Sequence, residues 1–445
     1  MSVAEPEQPR LARVLSRRDL IVYGLVILTP TAPYPVFGLI QQTSGGHATL
    51  CYLVAMVAML FTAASYARMA VAFPLAGSTY TYVQRGISQE AGFLAGWAMM
   101  LDYFLIPLLS VVYAALTMAR LFPQVPYLAW ALVFTAGITW VNLRGIRYTM
   151  RANTVLMAIL TTAAVLFAVL AIRSIVISGG WSALWSPAAI FNPGSFSMRT
   201  LMLGAGISAL SYIGFDAVTT LAEDAREPSR DMGFATITVC LMQAAICAVT
   251  VYLASIVWPD FRTFPEAETA ILDLGQRIGG RAFFLWLTFV LLVAGLASAM
   301  TGQAGASRLL LGMGRDGVIP RRLFGTIDAV HSSPSRGIWF MAGITMAGSL
   351  LAQFQLIVEL LNFGAFAGFI LVNLSVIGHY FIRLNQKAIW KNLMAPTLGA
   401  MVCAYLWLSL SPNAKIVGAI WMSLGVVYLA FLTRGFRVAP REMSI

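Results

Sequence analysis

The chain has 445 residues, of which 59% are hydrophobic and only 11% charged, with a mean hydropathy of +0.79. A soluble globular domain carries about 25% charged residues, so this composition excludes one and points to an integral membrane protein. The formal net charge of +11 could suggest a nucleic-acid partner, but the basic residues are distributed as membrane topology requires, and no nucleic-acid footprint is read from them.

Residues 1–19 form a polar N-terminal tail without the features of a signal peptide, since no apolar region precedes a small-residue cleavage site. Runs of about 20 apolar residues mark membrane spans. Twelve are found, near 20–42, 48–72, 91–121, 127–142, 152–177, 200–222, 232–258, 282–308, 337–353, 356–382, 394–410 and 414–433. Strict alternation of apolar and polar residues is absent, so the spans are expected to be helices, and the fold class is an all-α membrane protein with twelve transmembrane helices. A cytoplasmic N-terminus puts Arg10, Arg13, Arg17, Arg18, Arg144, Arg147, Arg151, Arg321, Arg322, Lys387, Lys391, Arg434 and Arg437 on the inner side. Both termini are then cytoplasmic, the protein is a multi-pass plasma (inner) membrane protein, and its basic surface meets anionic membrane lipids. The polar connections are too short for a second catalytic domain; the one with Asp260, Glu266, Glu268 and Asp273 is expected to hold a short surface helix.

The first span is interrupted at its centre by Thr29-Pro30-Thr31-Ala32-Pro33-Tyr34-Pro35. Three prolines this close remove backbone donors and clash with preceding carbonyls, so a continuous helix is not expected. In a bilayer such backbone is tolerated where protein or a water-filled cavity satisfies it. The sixth span shows a second irregularity, Ser211-Tyr212-Ile213-Gly214-Phe215-Asp216. Broken helices at corresponding positions of two halves point to a transporter of inverted repeats. The transport core is accordingly placed at 20–382, with repeats over about 20–177 and 200–382, two additional helices at 394–433 and a cytoplasmic tail at 434–445.

Ionisable groups inside spans are costly and usually face a cavity or a partner. Here they are Asp102 in span three, Asp216 in span six and Glu359 at the start of span ten, and no Lys or Arg lies near mid-depth to pair with either aspartate. Each aspartate is either a protonated carboxyl bonded to nearby backbone or a carboxylate that meets a substrate amine or a proton in transit. Tyr34, Tyr103, Tyr212 and Phe215 flank the breaks or Asp102, and such rings enclose organic cations or close a pocket as readily as they pack helices. Ser298 and Thr301 share a face of span eight; they ligate Na⁺ together with span-one carbonyls or satisfy carbonyls of their own helix. Glu223, Asp224 and Glu227 after span six form either a solvated helix end or a gate-closing ion pair with the N-terminal arginines. The cysteines Cys51, Cys240, Cys247 and Cys403 lie in apolar spans without a C-x-x-C and read as small apolar fillers. His47, His331 and His379 are too scattered for a metal cluster, and no phosphate-cradling G-x-x-x-x-G-K-[ST] is found. No cofactor, metal or required protein partner is expected.

Five stretches carry a family resemblance: Pro74-Leu75-Ala76-Gly77-Ser78-Thr79-Tyr80-Thr81-Tyr82, Leu101-Asp102-Tyr103, Gly214-Phe215-Asp216-Ala217-Val218 with Glu223, Gly314-Arg315-Asp316-Gly317-Val318-Ile319-Pro320, and Asn362-Phe363-Gly364-Ala365 with Val372-Asn373-Leu374-Ser375. With them the chain resembles bacterial permeases of the amino acid-polyamine-organocation superfamily, most closely the putrescine importer group. The resemblance implies a LeuT-like fold of two inverted five-helix repeats plus two C-terminal helices, and a drive from a proton or sodium gradient. Substrate would lie between the unwound parts of spans one and six, against Thr31, Ala32, Tyr34, Asp102, Tyr103, Tyr212, Ile213, Gly214, Phe215 and Asp216. Glu223, Ser298 and Thr301 would serve ion coupling or gating.

The chain departs from that pattern in three ways. Pro30 to Pro35 replaces the Gly-Ser-Gly-type element that binds a substrate carboxylate, no acid stands near Pro35 as in the putrescine importers, and the span-five lysine of some proton-coupled members is missing. The expected function is therefore a secondary active importer of amino acids or small organic amines such as polyamines, working by alternating access, with H⁺ or Na⁺ as coupling ion left open. The alternatives are a substrate sensor and a passive channel on the same fold. No paired nucleophile and base is visible, so an enzyme is not expected.

Overall fold

The computed structural model describes residues 15–437 except 75–77, 145–149, 222–224, 316–318, 329–332 and 352. In chain order the helices are α1 (Arg17–Leu28), α2 (Phe37–Thr43), α3 (Ala48–Ala72), α4 (Ser78–Gly86), α5 (Gln89–Leu121), α6 (Tyr127–Leu143), α7 (Met150–Gly179), α8 (Met198–Ser208), α9 (Pro228–Val257), α10 (Ala270–Arg315), α11 (Arg321–Phe324), α12 (Ser335–Leu351), α13 (Phe354–Val376), α14 (Ala395–Ser409) and α15 (Pro412–Leu432). Short 3₁₀ turns at Tyr34–Val36, Ala209–Tyr212 and Phe215–Leu221 sit at the two irregular spans. Among the described residues there is no strand, only an isolated parallel bridge between Leu15 and Ala225.

Nine helices among the described residues are long and apolar enough to cross a membrane, and α6 is apolar but shorter. Local signals start them as expected. Ser16 caps α1: its Oγ accepts from the Asp19 N–H, and the Asp19 carboxylate accepts from the Ser16 N–H at 2.8 Å. That pairing holds the Asp19 carboxyl below its ordinary range, the Ser16 side chain contributing most. Ser88 caps α5 in the simpler way, and prolines open α9 and α15 where a missing N–H is harmless.

Two helices organise the core. α3 packs on α9, α8, α13 and α14; α5 packs on α10, α13 and α6. α7, α14 and α15 are largely exposed, as a rim facing lipid requires. Where a surface helix was expected, the first turns of α10 form a helix that holds Asp273 and buries Ala270, Ile271, Leu272 and Leu274. It ends at Gly280, whose φ of 68° bends the chain into the long membrane helix. Arg120 at the end of α5 ties this segment down through the Thr269 carbonyl and the Asp273 carboxylate. Beneath it, α2 approaches so closely that a Cβ on Gly38 would lie 2.1 Å from the Ala267 carbonyl oxygen.

Candidate substrate site

The first break begins where α1 ends. A continued helix would bring the Ala32 N–H to the Leu28 carbonyl; it bonds the Thr29 carbonyl instead, at 3.1 Å, so the Leu28 carbonyl falls outside the ladder. Thr29 itself has φ 52°, an uncommon region for a β-branched residue. Pro30, Pro33 and Pro35 offer no N–H. Thr29 donates to the Leu25 carbonyl and Tyr34 to the Thr31 carbonyl at 3.0 Å, which leaves only the Thr31 N–H between 29 and 35. The break therefore presents carbonyl oxygens and few main-chain donors.

The second break follows α8. The helix tightens into a 3₁₀ turn, reverses at Ile213-Gly214 and resumes as 3₁₀ from Phe215. Gly214 has φ 120°, and a Cβ there would lie 2.7 Å from Ile27 Cγ2 and 3.4 Å from Leu28 Cδ2. The breaks thus touch, and Gln243 of α9 reaches both through its Nε2.

Asp216 is the second residue of the resumed turn. The main-chain amides of Gly214, Asp216 and Ala217 lie against its carboxyl, and Thr219 Oγ1 donates to its carbonyl at 2.6 Å. Asp102 projects from α5, buried, with Oδ1 unpartnered. The two carboxyls lie within Coulombic range of each other. Among the described residues the ion pairs are Arg17–Asp231, Arg120–Asp273 and Arg230–Glu227, and none reaches this site. Among the described residues no basic side chain forms an ion pair with either acid.

Aromatic rings complete it. Tyr66 of α3 stands edge-on to Phe215, Phe369 and Tyr82 with centroids at 5.5, 5.9 and 5.9 Å. Tyr66 Oη pairs with Thr79 Oγ1 at 2.6 Å, and the Tyr82 hydroxyl is buried near Thr219. Tyr66, Tyr82 and Tyr103 all lie within Coulombic range of Asp216. Tyr103 is 42% exposed, with its ring against Gly305 of α10.

The structure divides the expected single enclosure in two. Asp102, Tyr103, Phe215 and Asp216 come together, but Tyr34 and Tyr212 belong to a neighbouring cluster. Tyr34 packs on Phe167 at 5.3 Å, and Tyr212 Oη donates to the Tyr52 carbonyl at 3.0 Å. Tyr52 Oη pairs in turn with Ser211 Oγ at 2.9 Å. Thr31 is buried and Ala32 half-buried within the first break, and Ile213 is half-buried at the turn of the second.

Other expectations resolve individually. Ser298 and Thr301 are exposed on α10; Thr301 Oγ1 donates to the Ala297 and Ser298 carbonyls, each at 3.0 Å, and no hydrogen bond joins either residue to the first break. Glu223 and Asp224 lie outside the described residues. Glu227 pairs with Arg230 at 3.5 Å, while Arg17 reaches Asp231 at 2.7 Å and stacks its guanidinium over Phe234. The Arg226 N–H donates to the Leu15 carbonyl at 3.0 Å, joining the start of α1 to the end of the second broken span. Glu359 is structural: it accepts from Gln355 Nε2 and from the Ser411 N–H, both at 2.7 Å, so it fixes the start of α15. The four cysteines are buried and free, and among the described residues no His, Cys, Asp or Glu cluster could hold a metal. An apolar groove of about 710 Å³ between α1 and α7, lined by Val22, Val26, Met157, Val165 and others, suits a lipid chain rather than a polar solute.

The model of the amino acid permease family matches residues 37–434. The chain belongs to the amino acid permease family. This permease is 30% identical over 440 residues to the low-affinity putrescine importer PlaP of Escherichia coli (strain K12), covering 96% of each chain. It is 24% identical over 451 residues to the branched-chain amino acid permease BcaP of Bacillus subtilis (strain 168), covering 95% and 94%. It is 25% identical over 460 residues to the methylthioribose transporter of the same Bacillus strain, covering 96% and 95%. The resemblance carried by the motifs around Pro74, Asp102 and Gly214 is borne out, and the permease is a membrane transporter, not an enzyme. The sequence reading missed Tyr66 and Gln243, and it quoted Tyr82 in a family motif without naming it for the site. A lone carboxamide in the apolar α9 was the one visible signal among them.

Proposed function

We propose that this permease is a secondary active importer of small organic amines, with diamines such as putrescine as the first candidates. The observation that carries the reading is the donor-poor site. The first break keeps a single free N–H, the amides of the second lie against Asp216, and Asp102 and Asp216 share an aromatic-walled space without a basic partner. A substrate carboxylate finds no amide cradle here, whereas an ammonium group finds two carboxyls, carbonyl oxygens and the faces of Tyr66, Tyr82 and Phe215. Likeness to a putrescine importer supports this reading over that of an α-amino acid carrier.

Transport in this reading proceeds by alternating access around the paired breaks, in a twelve-span fold of two inverted five-helix repeats with α14 and α15 as additions. Both termini face the cytoplasm across the inner membrane. Asp102 and Asp216 meet the substrate amine or carry a coupling proton, and Tyr103 lines the way to them. Thr31, Ala32, Tyr34, Tyr212 and Ile213 shape the opposite wall. Coupling is to H⁺ or Na⁺. Uptake of radiolabelled putrescine and of amino acids into proteoliposomes, under imposed proton or sodium gradients, tests all of this. Concentrative amine uptake is expected; amino acid uptake without amine uptake would overturn the reading.

A further inference from the structure

Gln243 is fully buried within the apolar α9. Its Nε2 lies 3.0 Å from the Ser211 carbonyl oxygen, 3.1 Å from that of Thr29 and 3.3 Å from that of Leu28. An amide nitrogen has two hydrogens, so three carbonyls must share them, with Cys247 Sγ at 3.4 Å as a further weak acceptor. The other end of the carboxamide fares worse: Oε1 is buried without a partner. Turning the group over would set Oε1 against three carbonyl oxygens. The carbonyls therefore decide the orientation, even though it strands an acceptor.

Two of these carbonyls end α1, and the third belongs to the 3₁₀ turn that ends the first half of the other broken span. Both are negative ends of helical segments aimed at one point, and among the described residues the side-chain hydrogen bonds to these carbonyls come from Gln243. Thr29 holds its uncommon φ of 52° at this spot, so the backbone is bent to bring its carbonyl there. Oxygens gathered in this way around one atom are the surroundings that a monovalent cation collects.

We propose that this is a monovalent cation position which the chain fills with its own carboxamide. Gln243 is a positioning residue that joins the two breaks, and the ligand it stands in for is Na⁺ or a small ammonium ion. Emptying the position while keeping the carbonyls should turn it into a true cation site. Filling it with an apolar side chain should not.

Thermal unfolding of the purified full chain tests this without reference to uptake, so its failure is distinct from a failure of the importer reading, which would show as absent uptake by the unmodified protein. Gln243→Ala should gain a rise in unfolding temperature with NaCl or methylammonium chloride over choline chloride at equal ionic strength; Gln243→Met and the unmodified chain should not show that gain. Gln243→Lys, which brings a real ammonium to the carbonyls, should unfold at a higher temperature than Gln243→Glu, which brings a carboxylate. This second comparison stands even where Gln243→Ala does not fold. A folded Gln243→Ala indifferent to cations, or Gln243→Glu as stable as Gln243→Lys, would overturn the proposal.

Discussion

Gly214 of one broken span rests against Ile27 of the other so closely that a Cβ on the glycine would lie 2.7 Å from Ile27 Cγ2. The same glycine has φ 120°, so two independent constraints forbid a side chain there. Gly214→Ala is expected to lower stability by about 1–3 kcal/mol. Ile27→Ala in the same background removes the contact but not the backbone strain, and should restore only part of the loss. Unfolding temperatures of the single and double variants measure this; full restoration would show that the dihedral strain contributes nothing.

In the proposed site Asp102 and Asp216 meet the substrate amine from different elements of the chain. Asp102→Asn and Asp216→Asn should each reduce amine uptake at least tenfold, because a charge-assisted hydrogen bond is worth about 1.5–3 kcal/mol. Since the groups are close and share the space, the double variant should fall short of the summed effect. Initial uptake rates in proteoliposomes decide it, and rates equal to those of the unmodified protein would remove both carboxyls from the site.

Glu359 is also a buried acid, but both its oxygens are taken by Gln355 and Ser411. Glu359→Ala leaves the Ser411 N–H and the Gln355 amide unpaired, which should destabilise by about 1–3 kcal/mol. The apparent KM for substrate should stay unchanged, in contrast to the aspartate variants. A shifted KM with unaltered stability would assign Glu359 to the transport path instead.

Arg17 latches α1 to α9 through Asp231 and Phe234. The pair is partly exposed, so Arg17→Ala should change global stability by no more than about 1 kcal/mol. Locally the effect should be larger: hydrogen exchange of α1 amides is expected to quicken several-fold while α13 is unaffected. Combining Arg17→Asp with Asp231→Arg should restore slow exchange, and exchange in α1 that ignores all three changes would exclude a latch.

Much of the fold was legible because a bilayer demands it: about 20 apolar residues per helix leave a coarse signal that tertiary contacts do not blur. The breaks were legible for the same reason, since Pro30, Pro33 and Pro35 act through local sterics and Gly214 through its backbone freedom. Asp102 and Asp216 stood out as lone acids in apolar runs. Tyr66 and Tyr82 did not, because a tyrosine in a membrane helix has the same local chemistry whether it walls a site or packs a core. Tyr212 stood out beside the break, but that its hydroxyl donates to the Tyr52 carbonyl could not be read from the chain. The gate expected at Glu223, Asp224 and Glu227 falls partly outside the described residues; among those described, Arg17 reaches Asp231 of the neighbouring α9.

The amino-acid sequence by itself determined that this protein crosses a membrane, where its helices run, which two of its spans break and which acids fall within apolar runs, since each follows from local composition and backbone sterics. Only the tertiary structure decided that the breaks touch at Gly214 and Ile27, that Tyr66 gathers Tyr82, Phe215 and Phe369 around it, that Glu359 is structural and that Gln243 joins three carbonyls. These depend on residues far apart in the chain meeting in space, and no local preference encodes which partner a buried polar group will find.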